Sequence, residues 1–274
     1  MRNTLMTLVA CGALLAGVAP AQASSEREVS QDSVQALKSV LASGHGVRFT
    51  ETAIVSKGTK KLTERRREGA FEFNAPNGGV KALDVITTGG AHGTERGIGF
   101  NHEPGGTSYQ SGGLIGKWLK DGKVWWKNSH QLYLWHTELL GYDEQLLNPT
   151  EPATVAALLK NGHRNGNSVT GVITFKQLGK AASAWFGHST QGSWGLVGTK
   201  VSYTLTLTPT GSIGRVQSRY TLAGGLDELV GRTFSVDTHY QGWGEKVSVK
   251  PPNPRDTTTE LCINGEVCHW RLPS

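Results

Sequence analysis

Cysteine and methionine are scarce in this 274-residue chain, which has three cysteines and two methionines. Cys262, Cys268 and the adjacent His269 stand close together near the C-terminus. Their spacing does not match the ligand pairs of a zinc site, and the sequence offers no second pair to complete one. The glycine-rich run at 97–106 lacks the third glycine of a dinucleotide-binding loop. The sequence therefore predicts neither a metal site nor a bound cofactor.

A long hydrophobic run is also absent. The N-terminal apolar stretch begins at about Leu5, ends near Val18 and is too short to span a bilayer. Ala21-Gln22-Ala23 follows it and supplies the small residues of a signal-peptidase site. We therefore expect the stretch to direct export rather than to anchor the protein in a membrane.

This interpretation divides the chain into a secretory signal peptide over residues 1–23, cleaved after Ala23, and a single exported domain over residues 24–274. Lipid attachment at Cys11 is the disfavoured alternative. Too few apolar residues precede Cys11, and the residues after it are still apolar where a lipoprotein has a polar tether. We expect a secreted, extracellular protein.

Catalytic signatures are missing as well. Gln191 stands where the nucleophile elbow of a hydrolase needs glycine. His130 and His136 fall on one face of a predicted strand, but at ~3.3 Å per residue they lie about 20 Å apart and cannot share a metal ion. No set of nucleophile, base and stabilising group is visible. We therefore predict a protein without enzymatic activity and without catalytic residues.

The two C-terminal cysteines are predicted to form a disulfide, because a lone pair in an exported chain is most often bonded. Asn264-Gly265 between them marks a hairpin turn. Cys262 and Cys268 face each other only across a loop of odd length, so we predict a loop of three or five residues. Closing so short a ring contributes roughly 2–2.5 kcal/mol to stability.

Basic residues outnumber acidic ones, 28 to 22, which gives the full chain a net charge of +6. Removal of residues 1–23 takes away Arg2 and no acidic residue, leaving +5. The basic residues are dispersed except for the run Lys57–Arg67. Such a run can steer a protein to anionic lipid headgroups or to nucleic acid, but a solvated hairpin tip is the favoured interpretation. Peripheral membrane contact stays an open expectation, and no nucleic-acid partner is predicted.

Glycine is abundant, with 36 residues, and many segments alternate between polar and apolar residues. From Val201 to Leu207 the odd-numbered residues are apolar and the residues between them are serine or threonine. The pattern returns after a turn at 209–211 and continues to Leu222. A period of two is typical of strands with one buried and one exposed face, so this segment predicts a long antiparallel hairpin.

Other segments show the same alternation or a helical spacing. Strands are predicted over 46–56, 67–76, 80–90 and 130–138, with two short strands within 91–113 and a hairpin over 114–128 that turns at Asp121-Gly122. Helices are predicted near the N-terminus, where Val34, Leu37, Val40 and Leu41 share one stripe, near Val155–Leu159, and over 174–187. This order predicts a mainly β protein whose antiparallel sheet of about ten or eleven strands curves strongly and carries its few helices on one face.

Several segments resemble a known family. These are "NPTEPATVAALLK" (148–160), "VTGVITFKQLGKA" (169–181), "VSYTLTLTPTGSIGRVQSRYTL" (201–222), "FSVDTHYQGWGEKVSVKPP" (234–252) and "GKWLKDGKVWWK" (116–127). They look like actinobacterial lipoproteins of the LppX/LprG type, which belong with the LolA-like fold. The resemblance covers roughly residues 30–255 and implies a half-barrel of antiparallel strands capped by helices. The chain departs from the family in having no lipidated cysteine and in its predicted C-terminal disulfide.

The resemblance also implies a function, because the concave apolar face of the half-barrel holds acyl chains in such proteins. We therefore expect a non-enzymatic carrier or sensor of a lipid or another hydrophobic molecule. The apolar face gains most from leaving water, and it selects these ligand-binding candidates: Phe71, Phe73, Leu83, Val85, Tyr203, Leu205, Val216 and Tyr220. The alternative is a secreted interaction protein whose half-barrel is self-filled and which acts through loops at 91–113 and 187–200.

Overall fold

The computed structural model describes residues 32–74, 79–90, 92–101, 106–128, 145–181, 198–224 and 229–262. In these ranges, twelve strands form one curled sheet that does not close on itself, which confirms the predicted LolA-like half-barrel with slightly more strands than expected. The strands are β1 (His45–Lys57), β2 (Lys60–Phe73), β3 (Val80–Gly90), β4 (Gly93–Phe100), β5 (Thr107–Gly112), β6 (Trp125–Asn128), β7 (Gly162–Asn165), β8 (Ser168–Thr174), β9 (Lys200–Leu207), β10 (Ile213–Thr221), β11 (Arg232–Lys246) and β12 (Thr257–Thr258).

The strand order across the sheet is β12-β6-β5-β4-β3-β2-β1-β11-β10-β9-β8-β7. Neighbouring strands are antiparallel except for β12 and β6, which run parallel. The first and last long strands, β1 and β11, are therefore paired at the centre of the sheet, from His45 opposite Lys246 to Lys57 opposite Arg232. This long-range pairing joins the N-terminal and C-terminal halves of the chain into one sheet.

Four helices lie within the described ranges: α1 (residues 32–40), α2 (Gly113–Trp118), α3 (Pro152–Asn161) and α4 (Phe175–Ala181). The predicted helices at α1, α3 and α4 are confirmed, as far as the described residues extend. Leu37 and Leu41 from the α1 stripe are buried in the core. α3 begins with Pro152, which suits the first turn of a helix because its missing N–H has no intrahelical acceptor there.

The hairpin that the alternation predicts at Val201–Leu222 is confirmed as β9 and β10. Val201, Tyr203, Leu205 and Leu207 are all buried, and the serine and threonine residues between them are more exposed. Leu205 pairs with Val216 on β10. The hairpin is therefore placed by its own hydrophobic pattern, since a slip of one residue would turn every apolar side chain to the solvent.

The hairpin predicted over 114–128 is wrong, because its first half forms α2. Leu114, Ile115 and Trp118 stand at spacings that suit a helix as well as a strand. Gly112 and Gly113 have positive φ angles of 74° and 54° and turn the chain out of β5 into this helix. A turn does form at Asp121-Gly122, but of the two predicted hairpin strands only the second is present, as β6. The strand predicted over 130–138 lies outside the described residues.

Two further differences concern the limits of strands. The short hairpin of β7 and β8 was not predicted, because glycine and polar residues obscure the alternation in both strands. β2 begins at Lys60, well before the predicted start at residue 67, because the basic run continues the ladder with β1 up to Lys57.

The C-terminal segment 247–262 packs on the outer face of the sheet, opposite to α1, α3 and α4, and reaches α2 at the sheet edge. The amide of Val249 donates to Glu72 Oε2 at 2.9 Å, and Thr257 pairs with Trp125. Cys262 N donates to the carbonyl of Trp118 and its thiol is buried, with no disulfide among the described residues. Cys268 lies outside those residues, so the disulfide stays a prediction.

No helix in the described ranges is long and apolar enough to cross a membrane. Residues 1–31, including the predicted signal peptide, lie outside these ranges. The cleavage after Ala23 and the division of the chain at that point therefore stay predictions.

Candidate functional site

We define the inner face of the sheet as the face against which α1, α3 and α4 pack. Seven strands, β1–β3 and β8–β11, contribute apolar side chains from this face to one continuous core. All eight predicted ligand-binding residues belong to that core, with exposed fractions between 0 and 5%. They are Phe71, Phe73, Leu83, Val85, Tyr203, Leu205, Val216 and Tyr220.

These eight residues form two groups on either side of the sheet centre. Phe71 pairs with Leu83 between β2 and β3, and Leu205 pairs with Val216 between β9 and β10. The central strands β1 and β11 connect the groups. The ring of Phe49 on β1 stacks on Phe71, with centroids 4.8 Å apart.

On the other side, Phe234 from β11 stacks on Tyr220 at 5.0 Å. Phe49 and Phe234 are absent from the sequence-based list, although each lies in an alternating segment that points it to the inner face. The alternation of β1 and β11 was therefore a signal that could have extended the list.

The inner face is covered by the chain itself. We call residues 145–161 together with α4 the cover. Leu146 and Leu147 from its first part are buried on the inner face, and Val155 and Leu158 of α3 continue the same apolar contact. Phe175 of α4 packs edge-on against Tyr220, with ring centroids 5.6 Å apart. These contacts therefore shield the inner face from solvent.

A charged pair lies within this apolar face. Glu51 on β1 and Arg67 on β2 are cross-strand partners, and their side chains are 1% and 5% exposed. Arg67 donates from Nε and Nη2 to Glu51 Oε1, at 2.9 and 2.6 Å. The guanidinium also lies over the ring of Phe49, 5.8 Å from its centroid. Both charges are removed from water, so each depends on the other for its stability.

The polar contacts continue from this pair to the cover. Thr238 on β11 donates to Glu51 Oε2 at 2.8 Å. Gln145, the first residue of the cover, donates from Nε2 to Thr238 Oγ1 at 3.2 Å and to the carbonyl of Val216 at 3.1 Å. We call Glu51, Arg67, Thr238 and Gln145 the polar centre. It fixes one end of the cover to the middle of the sheet.

The three members of the polar centre that belong to strands lie in one cross-strand row with Val216. Val216, Thr238, Glu51 and Arg67 are successive partners across β10, β11, β1 and β2. Burial raises the pKa of Tyr240, and the negative charge of Glu51 raises it further. The negative charge of Glu51 therefore disfavours ionisation of this neighbouring tyrosine, and the positive charge of Arg67 partly offsets the effect.

The polar centre was not predicted from the sequence. The signal was present in β1, where Glu51 has the same parity as Phe49 and Ala53 and therefore points to the inner face. Arg67 likewise has the parity of Phe71 on β2. A carboxylate and a guanidinium placed by the strand period on an apolar face predict a buried pair, once the two strands are known to be neighbours.

A second attachment of the cover involves Tyr203. Its hydroxyl donates to the carbonyl of Leu158 in α3. The ring passes over Gly171 and Gly162, where an added Cβ would lie 2.4 and 3.2 Å from the hydroxyl oxygen. Burial raises the pKa of Tyr203 to about 12. Glycine at both positions therefore allows the tyrosine to reach the helix.

The outer face of the sheet has a different character. Arg96 forms a bidentate ion pair with Asp84, and Arg215 forms one with Asp237. The hydrogen bond from Arg215 holds the pKa of Asp237 below its usual value. No group of three or more potential metal ligands occurs within the part of the chain that the structure describes. The outer face thus combines these ion pairs with a small buried apolar cluster of Ala82, Ile98 and Phe100, against which Val249 of the C-terminal segment packs.

Comparison with known proteins gives matches to solved structures alone: no protein-family model and no curated protein matches the chain. LprF from Mycobacterium bovis is 13% identical, over 84% of this chain and 97% of that chain, with a TM-score of 0.38. A DUF1329 family protein from Desulfovibrio piger is 7% identical, over 78% and 92%, with a TM-score of 0.31. A domain described as an outer membrane lipoprotein-sorting protein, from Vibrio parahaemolyticus, is 6% identical, over 79% and 92%, with a TM-score of 0.32. The chain is thus similar to LprF and to a lipoprotein-sorting domain, which agrees with its resemblance to LppX/LprG-type lipoproteins of the LolA-like fold.

Proposed function

We propose that the protein is an exported, non-enzymatic binding protein that carries or senses a lipid or another hydrophobic molecule on the inner face of its half-barrel. The observation that carries this proposal is how the inner face is covered. In the described ranges, the apolar residues of seven strands are packed under a connecting segment and short helices, of ten residues in α3 and seven in α4. A second β-sheet packed on the inner face would cover it far more extensively than this segment and these helices do.

Such a cover could be exchanged for a ligand that buries the same apolar surface of the sheet. Acyl chains would replace the leucine side chains of the cover there, so the gain of about 25 cal/mol per Å² from excluding water is retained on the sheet side of the contact. The side-chain hydrogen bonds described above between cover and sheet come from Gln145 and Tyr203. Each contributes only about 0.5–1.5 kcal/mol net, so these bonds do not prevent the cover from opening.

The second candidate is an interaction protein whose half-barrel is permanently self-filled. The low exposure of the eight predicted residues, at most 5%, favours it. Of the two loops expected to act in that case, residues 91–113 contain β4 and β5, and most of 187–200 lies outside the described residues. This candidate would need an interaction site on the outer surface.

Native mass spectrometry of the protein purified from its own host separates the two candidates. A co-purifying lipid, released on denaturation, supports the carrier. A clean apo mass, together with no uptake of a fluorescent fatty acid by the purified protein, contradicts the carrier and leaves the self-filled form.

A matched pair of variants locates the binding site. Leu205→Trp places a large ring on the inner face, whereas Val172→Trp places it on the outer face of the adjacent strand, where Val172 is 49% exposed. A carrier loses fatty-acid uptake in the first variant and keeps it in the second. If Leu205→Trp unfolds the protein and the wild type takes up no lipid, the proposed function is wrong. Circular dichroism shows whether each variant is folded.

A further inference from the structure

The turn between β1 and β2 carries a concentration of positive charge. We call residues 57–66 the basic hairpin. It contains five cations and one carboxylate, that of Glu64. The cations are Lys57, Lys60, Lys61, Arg65 and Arg66. Lys57 faces Lys60 across the turn and Arg232 across the ladder with β11, so like charges are placed side by side.

This arrangement disfavours the fold, because like charges directly opposite each other in a sheet repel. Glu64 relieves part of the repulsion. It accepts from Lys61 at 2.8 Å and from Arg66 at 3.3 Å, and the hydrogen bond from Lys61 is the main reason that the pKa of Glu64 is lowered. Lys61 and Arg66 share this one carboxylate, which neutralises a single positive charge. The side chains of Lys61 and Arg66 remain 59% and 73% exposed and present their charge to the solvent.

An apolar side chain lies among these charges. Val55 pairs with Thr63 and Ser56 pairs with Lys61, so Leu62 is the extra residue of a β-bulge. Leu62 is 38% exposed, and it is one of the few large apolar side chains that the described residues leave in solvent. The bulge therefore places an exposed leucine next to lysine and arginine side chains.

The basic hairpin forms part of one rim of the half-barrel. Among the described residues, β3 pairs with β2 only from Arg66 onward, so the ladder from Lys60 to Arg65 is made with β1 alone. Other exposed lysines belong to the same rim, because β9 begins there with Lys200 and α4, with Lys176 and Lys180, follows the end of β8 there. Asp227 and Glu228, in the connection between β10 and β11, lie outside the described residues.

We propose that the basic hairpin docks on the surface of an anionic lipid bilayer. The cations would lie at the headgroups, and Leu62 would enter the boundary between headgroups and acyl chains. Basic residues near such a surface each strengthen binding roughly fivefold, and an apolar residue among them adds a contribution that salt does not screen. A nucleic acid fits less well, because the hairpin has no aromatic side chain on which a base could stack. The inference does not depend on a ligand at the inner face.

Co-sedimentation of the full mature protein with vesicles tests the proposal. We expect binding to vesicles of phosphatidylcholine with phosphatidylglycerol, no binding to phosphatidylcholine alone, and a decrease as salt is added. The triple variant Lys60→Gln/Lys61→Gln/Arg66→Gln should lose at least tenfold in apparent affinity.

The matched control is Lys38→Gln/Lys246→Gln/Lys250→Gln. It removes the same net charge from exposed lysines of α1, the end of β11 and the segment that follows. The control should bind within about twofold of the wild type, because these cations lie away from the proposed contact. Equal losses in both triple variants would show that net charge alone drives binding and would overturn the proposal. No binding of the wild type to anionic vesicles would do the same.

Leu62→Ser tests the apolar part of the contact. We expect it to bind like the wild type at low salt and to lose the residual binding at high salt, where charges are screened. Unchanged binding at high salt would contradict insertion of Leu62. Tighter binding of the wild type to a double-stranded oligonucleotide than to anionic vesicles at the same salt would overturn the choice of partner.

Discussion

Arg67 and Glu51 form a buried ion pair in which two guanidinium nitrogens, Nε and Nη2, donate to the same carboxylate oxygen, Oε1. The second oxygen, Oε2, accepts from Thr238. The carboxylate is therefore shared between a charged partner on one neighbouring strand and a hydroxyl on the other. Since Thr238 also accepts from Gln145, the pair is linked to the segment that covers the inner face.

Removal of the negative charge should strongly destabilise the protein. Glu51→Gln leaves the Arg67 cation in an apolar environment without its carboxylate, and we expect a loss of about 3–5 kcal/mol in the free energy of unfolding. The control Glu68→Gln, an exposed residue on β2, should change it by less than about 0.5 kcal/mol. Urea denaturation measures both. Similar values for the two variants would contradict the role of the pair.

Two buried hydroxyls on neighbouring strands should respond differently to removal. Ser218 Oγ has no hydrogen-bond partner among the described residues, so Ser218→Ala should be neutral or stabilise the protein by up to about 1 kcal/mol. Thr238→Val removes the donor to Glu51 and the acceptor of Gln145, and should cost about 1–3 kcal/mol. Thermal unfolding of the two variants tests the contrast. A loss of stability in Ser218→Ala as large as that in Thr238→Val would show that the Ser218 hydroxyl forms a hydrogen bond.

Stability should fall at alkaline pH through Tyr203. Its pKa rises from 10.0 to about 12 on folding because the neutral hydroxyl is buried. The unfolded chain therefore releases the proton first, and the contribution of Tyr203 to stability, complete below pH 10.0, is lost as the pH rises towards about 12.

Tyr203→Phe isolates this effect. The variant should be less stable at neutral pH by about 1–3 kcal/mol, since the Leu158 carbonyl loses its donor. It should also lose less stability than the wild type between neutral and alkaline pH. Urea midpoints across that range provide the measurement, and parallel curves for the two proteins would contradict the assignment.

The predicted export can be tested on the protein produced by its own host. The secreted protein should begin at Ser24, and its intact mass should match a chain cleaved after Ala23 without a lipid. A diacylglyceryl-modified N-terminus at Cys11 would overturn this prediction and would replace the secreted protein by a membrane-anchored one.

The predicted disulfide is tested by non-reducing peptide mapping of the same material. We expect one peptide pair joined through Cys262 and Cys268, and a loss of roughly 2–2.5 kcal/mol in Cys268→Ser relative to the oxidised wild type. Two free thiols would rule the disulfide out. The burial of Cys262 means that alkylation should be done after unfolding.

The periodicity of the chain was sufficient for most of the elements. Alternation identified β1, β3, β9 and β10, and the helical stripe of α1 was visible in its leucines and valines. The failure at α2 has a local cause. A short apolar segment fits the helical and the strand period equally well. The two glycines that turn the chain there adopt positive φ angles, which the sequence cannot indicate because glycine has no strong conformational preference.

The eight candidate site residues were assigned to the correct face for the same reason. A strand shows its two faces in its own sequence, since neighbouring side chains point in opposite directions. The pattern does not tell whether these residues bind a ligand or form a packed core. An apolar side chain gains equally from leaving water in either case.

The sequence by itself determined most of the long strands and which side of each of them is apolar, because both depend on neighbours within a few positions. Only the tertiary structure decided that Glu51 meets Arg67, 16 residues away, and Thr238, 187 residues away. It alone decided that residues 145–161 cover the inner face. These contacts depend on strand order and register across the sheet, and the same local pattern is compatible with many such pairings.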